Sequence, residues 1–208
     1  TPDGKRPNNW RSIFGGSVWE SVGDGRYYLH LFSKKQPDFN WENPRLRKKL
    51  YEMVNWWLDR GIAGFRVDAI THIKKDQSFR ELPPDGPDGL ADIGPVARNH
   101  PGIGAFLREL RDNTYGPRGA MTVAEAPGVP YDQLDDFIGP DGYFSMIFDF
   151  SYTDVDVDKS GCWYVPHTWT VAEFRKKLFA SQLAVQKAGW GAIFLENHDQ
   201  PRSLSKYI

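Results

Sequence analysis

Three acidic residues share one setting. Asp68 closes the apolar run Gly64-Phe65-Arg66-Val67, Glu125 closes Met121-Thr122-Val123-Ala124, and Asp199 follows Ala192-Ile193-Phe194-Leu195 through Glu196-Asn197-His198. Each run reads as a strand too uniformly apolar to have a wet face, the pattern of a parallel strand covered on both sides. In a parallel array the strand C-termini lie at one end, so the three carboxylates are expected to converge. An Asp after a strand can simply cap the next helix. Three acids gathered together are harder to explain that way, because like charges raise one another's pKa. With Arg66 and His198 beside them and no metal-spaced Cys or His cluster, they suit glycoside hydrolysis. One carboxylate attacks or activates water, a protonated acid serves the leaving oxygen, and a third negative charge steadies an oxocarbenium-like transition state. Holding a divalent cation is the other use of such a trio.

The elements that must position these acids can be read between them. Asn43-Pro44 supplies a cap and a proline at the first helical position, with Leu46, Leu50, Val54 and Trp57 or Leu58 at helical spacing until Gly61. A strand "IAGFRV" follows, then a loop holding "ELPPDGPDGLADIGP", then a helix over 101–110 with Ile103, Phe106, Leu107 and Leu110 on one face. "GAMTVAEA" is the next strand, 131–137 a short helix, and "YFSMIFDFSY" a further strand. Thr170 and Glu173 form a capping box that opens a helix to about Lys187, with Phe174 and Leu178 on its buried face. "GWGAIFLENHD" closes the series as a fourth strand. This alternation predicts an α/β fold with a parallel sheet covered by helices. The first forty residues differ, with Asn, Gly, Trp and Ser in "PNNWRSIFGGSVWE" and a short strand in "RYYLHLF".

Lys and Arg total 26 against 27 for Asp and Glu, so no broad field is built to draw nucleic acid or an anionic membrane surface. The single Cys162 excludes an internal disulfide and fits a reducing, cytoplasmic setting. No run approaches the ~20 apolar residues of a membrane span. The many aromatics suit sugar rings as well as a large core.

The motifs "GFRVDAI", "VAEA" and "ENHDQPR", with "QPDFNWENP" and "NNWRSIFGGSVWE" ahead of them, resemble the α-amylase superfamily, glycoside hydrolase family 13. Within it they are most similar to the α-glucosidase and oligo-1,6-glucosidase branch. The resemblance implies part of a (β/α)8 TIM barrel, about its fourth to seventh strands, over 43–208. Residues 1–42 would be the latter part of an inserted domain, and the whole an internal portion of a longer enzyme. It implies a retaining exo-α-glucosidase acting on short oligosaccharides or disaccharides, with no cofactor and no metal. Asp68 would be the nucleophile, Glu125 the general acid and then base, and Asp199 the transition-state stabiliser. Arg66 and His198 would orient the nucleophile and hold the glucose, and Phe32 and Gln36 would wall the mouth of the pocket. Ala69 matches a position where alanine goes with α-1,4 and valine with α-1,6 cleavage. Oligo-1,6-glucosidase, sucrose isomerase, transglucosidase and trehalose-6-phosphate hydrolase activities use the same acids, and a non-catalytic sugar-binding relative is the alternative outside enzymes. Physical chemistry adds three expectations. Arg66 faces the same side of its strand as Asp68, Glu125 has a raised pKa, and the two carboxyls stand about 5 to 5.5 Å apart. Open edges of an incomplete barrel would let copies self-associate.

Overall fold

In the computed structural model, which describes residues 4–157 and 167–208, Cys162 falls outside the described residues. The elements run β1 (Trp10–Arg11), β2 (Trp19–Ser21), β3 (Tyr27–Leu29), α1 (Pro44–Leu58), β4 (Gly64–Val67), β5 (Ala91–Asp92), α2 (Gly94–Ala97) and α3 (Ile103–Asn113). They continue with β6 (Met121–Glu125), α4 (Leu134–Ile138), β7 (Met146–Phe148), α5 (Val171–Ala188), β8 (Trp190–Gly191) and α6 (Ser203–Tyr207). Two compact units are formed, Thr1–Glu52 with Thr71–Phe106, and Met53–Ile70 with Leu107–Ile208.

The first unit has little sheet and much side-chain bonding. β1 pairs in parallel with β5, and β2 in antiparallel with β3. Its core gathers Trp10, Val18, Leu31, Ile93 and Val96, all essentially inaccessible. Strands this short satisfy few backbone groups, so asparagines complete the work. Asn9 donates to the Leu82 carbonyl at 2.8 Å and accepts from the Leu82 N–H at 3.0 Å. Asn8 accepts the Trp19 indole N–H at 2.8 Å. The expected cap is present, with Asn43 Oδ1 accepting the Arg45 N–H at 3.0 Å.

The second unit holds a four-stranded parallel sheet in the order β4-β6-β7-β8. Its register aligns Arg66 with Val123 and Met146, and Val67 with Ala124 and Ile147. Because side chains alternate along a strand, the sheet has two unlike faces. Thr122, Ala124 and Ile147 lie on the face that is covered and buried, where α4 packs on β7 and α5 on β8. The opposite face carries Arg66, Glu125 and Phe148, and remains open enough that Trp190 is 76 % exposed. β4 and β6 approach so closely that a Cβ on Gly64 would meet the Met121 carbonyl oxygen at 2.2 Å, which is why glycine begins this strand.

The helices follow their patterns. α5 opens on the Thr170–Glu173 capping box, and its inward stripe, apolar at Phe174, Leu178 and Val185 and small at Ser181, deepens from half-buried to buried. α1 ends at Leu58, and the turn after it closes on Gly61, whose N–H donates to the Leu58 carbonyl at 3.0 Å and whose φ of +88° suits the left-handed conformation. The last strand departs from expectation. β8 spans two residues, and the ladder ends with the Ala192 N–H donating to Ile147 at 3.0 Å. Beyond that, β7 has already stopped, so residues from Ile193 onward have no neighbour to pair with. The Phe194 N–H turns to the Tyr152 hydroxyl at 3.0 Å instead.

Candidate active site

The chemistry assembles around one guanidinium. Arg66 points to the open face of β4, as its spacing from Asp68 requires, and donates Nη1 to Asp68 Oδ1 at 2.6 Å. Nη2 of the same side chain donates to Glu125 Oε2 at the end of the neighbouring strand. The adjacent register of β4 and β6 places the three groups together, since Val67 pairs with Ala124 and the acids come one residue later. Asp68 is followed by Ala69 at φ +42°, a left-handed conformation that turns the chain sharply off the strand.

Placed side by side, the two acids diverge in acidity. Glu125, only 16 % exposed, is pushed up to about 7, first by burial and then by the hydrogen bond and negative charge of Asp68. Asp68 is pulled below its ordinary value, first by its hydrogen bond with Glu125 and then by Arg66. Below about pH 7 the pair therefore holds one proton on Glu125 and a charge on Asp68, the separation of roles that acid-base catalysis needs. The two carboxyls are near enough that each acts on the acidity of the other.

The third acid is placed differently. His198 is near enough for its charge to act on Asp68. Asp199 binds His198 Nε2 at 3.0 Å, with no hydrogen bond or ion pair to Asp68, Arg66 or Glu125 among the described residues, and its side chain is 62 % exposed. Both stand on the unpaired segment after β8 rather than at a strand end. Phe32 and Gln36 belong to the first unit. Phe32 packs edge-on to His72 at 5.6 Å, and Gln36 Oε1 accepts the Ser33 N–H at 3.2 Å.

A fourth acid escaped sequence reading. Asp149 immediately follows β7, so three adjacent strands of the sheet each end in a carboxylate. It accepts the Tyr131 hydroxyl at 3.0 Å and that of Ser151 at 2.8 Å. The signal was present as "MIFD", but a strand drawn through "YFSMIFDFSY" hid where the ladder stops. Among the described residues no group of three or more His, Cys, Asp or Glu is arranged to hold a metal ion, and no helix is long and apolar enough to cross a membrane.

Residues 1–207 match the family model for the α-amylase catalytic domain. The chain belongs to that family. It is 47 % identical over 209 residues to the probable oligo-1,6-glucosidase 3 of Bacillus subtilis (strain 168), which covers 98 % of this chain and 36 % of the relative. An α-glucosidase of Schizosaccharomyces pombe is 38 % identical over 207 residues, covering 97 % and 36 %. The crystal structure of Bacillus licheniformis trehalose-6-phosphate hydrolase superposes with a TM-score of 0.85 at 36 % identity, over 100 % of this chain and 37 % of that one. This α-amylase-family chain thus spans little more than a third of the length of these relatives. Its four-stranded sheet is part of a (β/α)8 barrel. Asp68, Glu125 and Asp149 stand at the carboxyl ends of its strands, the end where such barrels keep their chemistry.

Proposed function

We propose that this chain carries the acid pair of a retaining exo-α-glucosidase that cleaves terminal α-glucosidic bonds of short oligosaccharides. The observation that carries the reading is Arg66 bridging Asp68 and Glu125 while their acidities are driven apart. Ionised Asp68 attacks the anomeric carbon as the glycosidic bond breaks, and protonated Glu125 passes its proton to the leaving oxygen. Glu125, now a carboxylate, takes a proton from water, which attacks the anomeric carbon and releases Asp68. Asp199 would face the sugar from the segment after β8, its negative charge steadying the cationic transition state, and His198 beside it would hold the glucose. Roles for Phe32 and Gln36 at the sugar rest on motif position alone, as does the assignment of 1–42 to an inserted domain and 43–208 to the barrel.

Ala69 puts α-1,4 linkages first by the pattern of the branch. The name of the Bacillus subtilis relative favours α-1,6 cleavage as the second reading. Hydrolysis of maltose and isomaltose, followed by proton NMR, tests both levels. Retention gives α-glucose as the first product, and Asp68→Asn abolishes its release from either sugar. A first product of β-glucose would rule out the covalent route. Faster turnover of isomaltose would keep the mechanism and reverse the linkage order.

A further inference from the structure

We propose that the first unit holds a second saccharide site, a cavity of about 380 Å³ between the segments 19–42 and 73–79, which takes a short neutral sugar independently of the acid pair at the strand ends. The volume falls within the range of small-molecule clefts, about 300 to 1,000 Å³. Five aromatic side chains line it, Trp19, Tyr27, Phe39, Trp41 and Phe79. Two of them show how the cavity is built. Phe79 sits at φ +48°, an uncommon conformation for a bulky residue, and is held there by packing against Trp10 and Trp19 with ring centroids 5.7 and 5.9 Å away. Phe39, at the other extreme, leaves 54 % of its surface exposed although it belongs to a lined cavity.

The polar lining selects the ligand. Lys75 is 5 % exposed and binds Asp38, whose side chain is 17 % exposed, so a donor and an acceptor are fixed together in an apolar wall. Glu42 gives one oxygen to Lys74 at 2.8 Å, and its other oxygen, the Asn40 amide nitrogen and the Trp41 indole N–H have no protein partner among the described residues. Asp38 is paired with Lys75 and Glu42 with Lys74, so the charges of the lining are balanced and no unpaired cation among the lining residues is left to hold a phosphate. A cation would be repelled by Lys75, which lines the same cavity and already holds Asp38. A neutral pyranose meets neither obstacle. Its C–H faces stack on aromatic rings, while its hydroxyls both donate and accept.

The test titrates maltose into isotope-labelled Asp68→Asn protein, which cannot turn the sugar over, and follows the Trp41 indole N–H by NMR. Maltose is expected to shift that signal saturably. Adding Phe39→Ala, a change at an exposed ring that leaves the core intact, is expected to weaken the binding about tenfold, as for a contact residue worth more than 1 kcal/mol. Adding Arg66→Ala instead is expected to leave it unchanged, which separates this site from the acid pair. Glucose 6-phosphate is expected not to compete. An indole signal that maltose does not move, an affinity insensitive to Phe39→Ala, or tighter binding of the phosphorylated sugar would each overturn the proposal.

Discussion

Replacing Glu125 by Gln should make the protein more stable at pH 8 and leave it nearly unchanged at pH 4. In the folded protein the Glu125 pKa stands at about 7 against an ordinary 4.5. Between those values the native state holds a proton that the unfolded chain has released, so stability falls as pH rises through that window. The raised pKa thus gives a contribution that is fully present below about 4.5 and lost above about 7. A displacement from 4.5 to about 7 corresponds to about 3.4 kcal/mol at 1.36 kcal/mol per pH unit. Asp68, whose side chain is 68 % exposed, exerts part of this through solvent, so roughly 2 kcal/mol is the fair expectation. Gln keeps the shape and accepts from Arg66 but has no charge to bury. Urea denaturation of both proteins at pH 4 and pH 8 reads the difference directly. A gain equal at the two pH values would show that Glu125 is not held protonated, and the separation of acid and nucleophile would go with it.

Three further outcomes follow from packing and topology. Ala69→Val should cost about 1 to 2 kcal/mol in thermal or urea unfolding, because a β-branched residue resists the left-handed backbone at φ +42°; Ala69→Gly should cost nothing, and equal losses for the two would exclude backbone strain as the cause. Asp38→Ala leaves the Lys75 ammonium buried without its partner and should destabilise by about 3 to 5 kcal/mol, whereas Asp38→Ala with Lys75→Met recovers most of that loss. We also propose that copies associate through β4 and β8, each of which has one neighbour in the sheet; sedimentation velocity should show concentration-dependent dimers, and a sharp monomer boundary at every concentration would disprove it.

The helices were legible because their signals are local. Asn43-Pro44, the Thr170–Glu173 box and the 3.6-residue spacing of Ile103, Phe106, Leu107 and Leu110 each depend on neighbours within a few residues. The convergence of Asp68, Arg66 and Glu125 was also readable, since parallel pairing puts equivalent strand ends side by side. Strand lengths were not readable. β8 stops after Gly191 and β7 after Phe148 because a ladder lasts only as long as its partner, and that is a property of two segments far apart in sequence. The same cause displaced Asp199 from a strand end and concealed Asp149. The aromatic cavity was equally hidden, since Trp19, Phe39 and Phe79 are separated by turns whose φ values no composition reveals.

The shared guanidinium sets how the resting site treats cationic ligands. At slightly acid pH, Arg66 with Asp68 and protonated Glu125 is electrically balanced, one positive charge against one negative. As pH passes about 7, Glu125 ionises and the same three side chains become an anionic cradle. A sugar-shaped ammonium should therefore bind more tightly on the alkaline side of neutrality until its own nitrogen loses its proton. Its affinity would trace a bell whose rising limb reports the Glu125 proton.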